Sequence, residues 1–382
     1  MAGYLMSLDN LGSLQLYLRA GVYGTLLSTP KGQWLKHHEA TFADYVTMKP
    51  GDNIYFFIDR KIYGIGELVN VTEDCKFLNF EGACLPHPAD YNSVKQHLLW
   101  DEGNISADQR WVCTFQPSPY FFRKGIDMDD MLASNPAAFK ILRAFWKVSF
   151  IKFDDTENQA FKDAILKLNQ NALGTPKAEQ VFETRSAEEH KRMRAQLGRR
   201  NYRMDVSPIL SACADGERLR HEMAIEAGLL YQLAYADDLT TKLFGSWKYL
   251  HHQVIASPFK PIDYMDKMDL FGYSFIQGFE PTRSKFLVGE IKKDAGTRAD
   301  LEQLMKYVDW VKDEYSFGDY GMIKAFLVAY EFEDNVKSAL LDAAKRRYIV
   351  GRRPAESREW SDLTLVKYRY DAPQCRLSFD SI

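Results

Sequence analysis

No apolar run in this 382-residue chain approaches the roughly 18 residues that a membrane-spanning helix needs. The longest are strand-like pieces such as Ile54–Ile58 and Ala325–Tyr330. The first residues lack a basic stretch and carry Asp9, which argues against a secretory signal. Five cysteines (Cys75, Cys84, Cys113, Cys213 and Cys375) are scattered without a Cys-x-x-Cys pair, which excludes a disulfide scaffold and disfavours a zinc knuckle. Cys213 has no identifiable base and reads as a buried, inert thiol. The eight histidines show neither His-x-His nor His-x-x-x-His spacing. His37-His38 and His251-His252 are adjacent pairs whose side chains diverge on a strand, so no zinc centre is expected. There is no Walker glycine loop, no internal repeat and no low-complexity tract. What remains is a soluble, cytoplasmic protein with no membrane partner.

Apolar residues make up 46% of the chain and charged residues 26%, enough for sizeable cores. At about 150 residues per domain, the length suggests two to three domains. The net charge of −3 conceals two basic stretches. Arg185–Arg203 holds seven Lys or Arg against two Glu, and Lys345–Arg358 six against one. A phosphate backbone responds to such local patches rather than to total charge. The bland alternative for each is a solvated helix face or a charged loop.

The first 170 residues or so read as β-rich with helical inserts. Asp52–Ile58 and Lys61–Asn70 form a hairpin pattern joined at Asp59-Arg60, and Gly64 and Gly66 suggest a bulge or a close approach. Trp111–Phe115 and Phe145–Phe153 read as further strands, and Asp155–Asn171 as a polar helix. Lys177–Arg203 reads as an exposed basic helix linking two domains. Beyond it, the expected order is helix Asp215–Ala234, strands near His251–Ala256, Met268–Phe275 and Lys285–Lys292, helix Ala299–Glu314 and strand Met322–Tyr330. That order describes a small α/β domain around a mixed sheet.

An acidic residue two before a lysine recurs along the chain, as at Asp59-Arg60-Lys61, Glu189-His190-Lys191 and Glu290-Ile291-Lys292. Only the last ends an apolar run, Phe286–Lys292. Residues two apart on a strand share a face, so Glu290 and Lys292 project together from a buried strand. Burying such a pair without use is expensive. Twenty-one residues upstream, Asp269 enters the preceding strand. Asp269 and Glu290 from adjacent strands could hold one Mg²⁺, with Lys292 stabilising charge on the attacking hydroxide or on phosphoryl oxygens. The competing reading is a strand-end salt bridge. Gln303, Tyr307 and Trp310 form a polar-aromatic stripe on the next helix, where Gln303 and Tyr307 could reach the site or a DNA backbone. Glu222 and Glu226 lie one turn apart on an earlier helix, Glu226 being the candidate metal-side acid and Glu222 a solvated one.

Met268–Gly272, Phe286–Lys293 and Leu301–Tyr307 together resemble the core of PD-(D/E)XK endonucleases. The Gln and Tyr after Glu-x-Lys are similar to the branch holding archaeal mismatch endonucleases, Mrr-like restriction enzymes and Shedu-type antiphage nucleases. The resemblance covers roughly residues 217–330. It implies Asp269 and Glu290 as metal ligands, Lys292 as the catalytic lysine, Gln303 and Tyr307 in support, and Glu226 as a first-helix acid. Met268 stands where the family pattern has proline. Met48–Phe57 followed by Ile62–Leu68 resembles a PUA-like (EVE or YTH type) β-barrel, in which aromatic side chains hold a modified base. Trp34, Tyr55, Tyr63, Trp111 and Tyr120 are the candidate stacking residues, of which at most two would form a cage.

The expected fold is therefore α+β or α/β. A PUA-like β-barrel sensor covers residues 1–175 and a basic helical linker 176–204. A restriction-endonuclease-like mixed sheet flanked by helices covers 205–382. The expected activity is Mg²⁺-dependent (or Mn²⁺-dependent) hydrolysis of double-stranded DNA by a homodimer or homotetramer in antiphage defence. Expected phosphate contacts are Arg192, Arg199, Arg200, Lys293, Arg298, Arg346, Arg352 and Arg353. The alternatives are a repair endonuclease for mismatched or branched DNA and a non-catalytic nucleic-acid-binding protein on a nuclease fold.

Overall fold

A computed structural model describes residues 1–140, 150–257 and 266–382. The part of the expected strand Phe145–Phe153 that precedes Phe150 lies outside them. The chain is mixed α+β and divides into two compact units, residues 1–35 with 48–205, and residues 36–47 with 206–382. No helix among the described residues is long and apolar enough to cross a membrane.

The first unit is built on strands β1 (Gly3–Ser7), β2 (Val22–Leu26), β3 (Asn53–Ile58) and β4 (Lys61–Leu68), with helix α1 (Leu11–Ala20) between the first two. Helix α2 (Lys36–Val46) interrupts this run and belongs to the second unit. Strands β5 (Lys76–Leu78), β6 (Gln109–Pro117), β7 (Ile126–Asp127) and β8 (Phe150–Phe153) complete one sheet with the path β2-β6-β4-β3-β1-β8, β5 pairing β6 and β7 pairing β4. Its neighbours are antiparallel except β1 and β3. The β3–β4 turn is the expected two-residue one. Asp59 and Arg60 adopt φ of 47° and 65°, the left-handed pair that suits the twist of a tight hairpin. The two glycines of β4 are explained by close approach. A Cβ on Gly64 would meet the Tyr55 ring at 2.6 Å, and one on Gly66 would meet Ile54 Cγ2 at 2.5 Å.

Helix α3 (Asp155–Leu168) is capped by Asp154, whose Oδ1 accepts from Thr156 and Glu157 N–H groups at 2.9 Å. The basic stretch yields a shorter helix than expected, α4 (Ser186–Leu197). It is anchored to the first unit. Arg194 Nε donates to the Val71 carbonyl at 2.7 Å, His190 Nε2 lies 2.9 Å from the Gly21 carbonyl, and Met193 is buried.

In the second unit, α5 (Ser207–Cys213) leads through a short hairpin, Ala214–Asp215 against Arg218–Leu219, into α6 (Glu222–Ala234). The expected helix from Asp215 therefore starts seven residues later, because Gly216 at φ +63° turns the chain. Strands β9 (Tyr249–His251), β10 (Leu270–Phe275), β11 (Arg283–Ile291) and β12 (Ile323–Ala329) follow, with α7 (Arg298–Glu314) between the last two. After α8 (Asp334–Ala343) come the hairpin β13 (Arg346–Val350) and β14 (Glu356–Trp360), then β15 (Leu363–Asp371) and β16 (Arg376–Ser381). The main sheet runs β9-β10-β11-β12-β15-β16, with β11, β12 and β15 mutually parallel. Helices α6 and α7 both pack on β11. Phe286–Ile291 is accordingly buried at every position, the mark of a strand covered on both faces.

Candidate metal and catalytic cluster

Asp269 sits between two pairings. Lys267–Met268 pairs with Val254–Ile255, and Leu270 begins β10 opposite Gly289 of β11. Continuing that register brings Asp269 beside Glu290 at the strand ends. Asp269 Oδ2 accepts the Ile291 N–H at 2.8 Å, which fixes its rotamer. Lys292, just past β11, donates from Nζ to Glu290 Oε1 at 2.6 Å and lies 3.7 Å from Asp300 Oδ1. Asp300 in turn closes the capping box of α7 with Thr297, so the helix start is tied to the strand end.

Glu226, on the buried face of α6, completes an acidic group. The Gln253 amide donates to both Glu226 oxygens, at 3.1 and 3.2 Å, and to Asp269 Oδ1 at 2.9 Å. His252 bridges Glu226 Oε2 (3.3 Å) and Asp44 Oδ1 of α2 (3.1 Å). Gln303 Nε2 donates to the Tyr307 hydroxyl at 2.6 Å, and Tyr307 is buried. The structure thus gathers Glu226, Asp269, Glu290 and Lys292, with Gln303 and Tyr307 paired on α7. Sequence reasoning missed Asp44, His252 and Gln253. Of the two histidine pairs expected to diverge on strands, His37-His38 lies on α2 with its rings stacked at 4.2 Å, whereas His251 turns to the Tyr249 hydroxyl and leaves His252 to enter the cluster.

The electrostatics are those of a crowded acid pocket. Burial, then repulsion from Glu226 and Glu290, pushes the Asp269 carboxyl far above the usual range. Burial raises Glu226, against the pull of His252 and Gln253. Burial also raises Glu290, to about 7, despite the opposing effect of Lys292. Lys292 is itself raised, because Glu290 and Asp269 overcome its desolvation. Glu290 Oε2 is buried with no hydrogen-bond partner, a cost of about 1–3 kcal/mol or more for a charged group. A divalent cation would relieve both that orphan and the mutual repulsion, so this set of hard oxygens fits Mg²⁺ or Mn²⁺. Asp269 and Glu290 are the candidates to hold it, whereas Glu226 is joined to Asp269 through the Gln253 amide and the three carboxylates do not bring oxygens within 4.8 Å of one another.

A pH dependence follows. The native state holds the Glu290 proton more tightly than the unfolded chain, whose value is near 4.5. The carboxyl's contribution to stability is complete below about 4.5 and is lost as the pH rises through about 7. In a chelator, Glu290→Gln should therefore melt higher than wild type above about pH 7, and the gap should close toward about pH 4.5. Scanning calorimetry across that window reads it, and a gap that widens on acidification would refute the assignment.

The other expected residues fall elsewhere. Tyr55 and Trp111 are fully enclosed. Tyr55 packs on Phe153 and Phe161 and donates to Asn158 Oδ1 at 2.8 Å, so neither ring offers a free face. Tyr63 is buried, and Trp34, half-buried, meets Trp111 edge-on with the Arg110 guanidinium 5.9 Å away. Arg346 is bound to Asp309 through two bonds of 2.8 and 2.9 Å. Arg298 pairs with Glu302, Arg200 with Glu81, Lys293 with Asp294, and Arg192 with Glu189 and the Leu99 carbonyl. Arg199, Arg352 and Arg353 are exposed, the last two on the β13–β14 loop. Cys213, read from sequence as lacking a base, lies 4.0 Å from His221 Nδ1 and 3.2 Å from Glu39 Oε1. Burial and the nearby Glu39 push its thiol up, which disfavours the thiolate in the metal-free protein.

No family model matches the chain, and no curated protein sequence matches it. Among solved structures, it is similar to a repair endonuclease from Pyrococcus abyssi at 21% identity with a TM-score of 0.21. The match covers 34% of this chain and 45% of that one, less than half the length of the endonuclease. A likeness of that extent carries nothing about the reaction.

Proposed function

We propose that the second unit is a metal-dependent DNA endonuclease site. The observation that supports this best is the meeting of buried Glu226 and Glu290 with half-buried Asp269 on converging elements, one Glu290 oxygen being unpartnered and Lys292 at the rim. When bound there, a divalent cation supplies Lewis acidity toward a phosphodiester and a water of lowered pKa. The chain's own residues supply the rest. Gln253 holds Asp269 and Glu226 at fixed separation. The Ile291 N–H orients the second Asp269 oxygen. Lys292, kept protonated by its acidic neighbours, donates to phosphoryl oxygens as negative charge builds during in-line attack. Gln303 and Tyr307 support the same wall. Mg²⁺ is the proposed cofactor, Mn²⁺ its substitute, and double-stranded DNA the partner.

The wider role rests on the sequence resemblance: antiphage defence in the cytoplasm by a homodimer or homotetramer, with a PUA-like first unit choosing the DNA. Within that unit the candidate sensor narrows to Trp34 and its surroundings, since Tyr55 and Trp111 are enclosed.

The test is incubation of the full chain with supercoiled and linear plasmid in Mg²⁺, Mn²⁺ or EDTA. Nicked or linear product that requires metal and vanishes in Asp269→Asn is expected. Salt-sensitive DNA binding with no metal-dependent product on plain, base-modified, mismatched or branched DNA would replace the enzyme with a binding platform.

A further inference from the structure

Three side chains from separate stretches of the second unit meet just ahead of α6. Glu39 comes from the first turn of α2, Cys213 ends α5, and His221 immediately precedes α6. Glu39 Oε1 lies 2.7 Å from His221 Nδ1 and 3.2 Å from Cys213 Sγ, with 4.0 Å between the sulfur and the nitrogen. The hairpin between α5 and α6 folds His221 back onto Cys213, and Arg220 N–H donates to the Cys213 carbonyl at 2.9 Å. Glu39 is fully buried, and its second oxygen, Oε2, has no hydrogen-bond partner. Among the described residues, no other three ligand atoms of His, Cys, Asp or Glu lie within 4.8 Å of one another.

We propose that Glu39, Cys213 and His221 form a binding site for one zinc-class divalent cation, with water as the fourth ligand. A thiolate, an imidazole nitrogen and a carboxylate oxygen make up the donor mixture that borderline-soft Zn²⁺ accepts and hard Mg²⁺ does not. Bonds of about 2.3 Å to sulfur and 2.0–2.2 Å to nitrogen and oxygen put tetrahedral ligands about 3.4–3.6 Å apart. The three separations bracket that range, so capture needs sub-ångström shifts, and the free Oε2 can turn inward. One thiolate and one carboxylate neutralise the cation, which makes its burial tolerable. The thiol proton leaves to solvent on binding. His221, with 27% of its side chain exposed, gives water its route to the open position. The cation would staple α2 to the start of the helix that carries Glu226. It is separate from the Asp269–Glu290 cluster and does not depend on the nuclease reading.

The experiment uses the full chain, stripped with a chelator and titrated with Co²⁺. A thiolate-to-cobalt charge-transfer band in the near ultraviolet, saturating at one equivalent and erased by Zn²⁺, is expected. Oxygen-only binding at Asp269 and Glu290 gives no such band. Cys213→Ser should abolish it, Cys375→Ser should leave it, and Glu39→Gln should weaken Co²⁺ binding at least tenfold. No band in the wild-type protein overturns the proposal, and so does a band that survives in Cys213→Ser or disappears in Cys375→Ser. Because the wild-type spectrum decides first, a variant that fails to fold does not obscure the result.

Discussion

Lys292→Ala is expected to slow DNA cleavage by about 10²–10³-fold, the loss typical when one charge-stabilising donor is removed from a reacting centre. The ammonium is a point charge held 2.6 Å from Glu290 Oε1 and within reach of the space beside Asp269. It contributes most where phosphoryl charge develops and little to the ground state, so the loss belongs in kcat. Plasmid affinity by gel shift should stay within about twofold, as a single phosphate contact is a small part of an electrostatic interface. Lys292→Arg keeps the charge but replaces a compact donor with a planar fork, and should restore only part of the rate. Equal loss of binding and turnover would make Lys292 a docking residue, and an unaffected rate would remove it from the reaction.

His252→Ala should destabilise the second unit by about 3–5 kcal/mol, the range for deleting one partner of a buried charged group. The imidazole is 5% exposed and stands between Glu226 Oε2 and Asp44 Oδ1. Burial works to lower its pKa, but Asp44 and Glu226 outweigh it and raise it to about 10. The imidazolium therefore contributes stability that is complete below about 6.5 and declines as the pH rises through about 10. The wild-type advantage over the variant should shrink across that window. His252→Gln, which can bond at both ends without charge, should recover part of it. Denaturant titration gives the magnitude, and hydrogen exchange in α2 and α6 shows where it acts. A variant as stable as wild type at neutral pH would refute the charged bridge between Glu226 and Asp44.

The readable part of the site was the part carried by short-range pattern. The run Phe286–Lys292 announces a buried strand because consecutive apolar residues end in a charged pair, and Asp269 stands just before the strand that pairs with it. Likewise Gln303 and Tyr307, four apart, had to share a helix face, and they bond. Asp59-Arg60 and the glycines of β4 were legible for the same reason, since turn chemistry is local. Glu39 and Asp44 were not. They lie 174 and 208 residues from the partners they meet, Cys213 and His252, and nothing in the polar pattern of Lys36–Val46 signals that destination. The aromatics misled through β propensity: Tyr55 and Trp111 suit a binding wall and a core equally, and burial alone separates the two. The alternation in Leu363–Tyr370 was a strand signal of the same local kind, beyond where the motif reading stopped.

Helix α2 gives the molecule an unusual connectivity. The backbone passes between the two units at three places, after residues 35, 47 and 205, so neither unit is a continuous piece of chain. A fragment cut at residue 206 would contain every residue of the Asp269 cluster yet would lack Asp44 and Glu39. His252 would lose one of its two anions, and the face of α6 that packs on α2 would be bare. Any transfer of the second unit to another chain must carry those twelve upstream residues along. Gene fusions that join units end to end cannot produce this arrangement. The two units alternate along the chain as first, second, first, second, so a truncation that removes the first unit also takes α2 from the second.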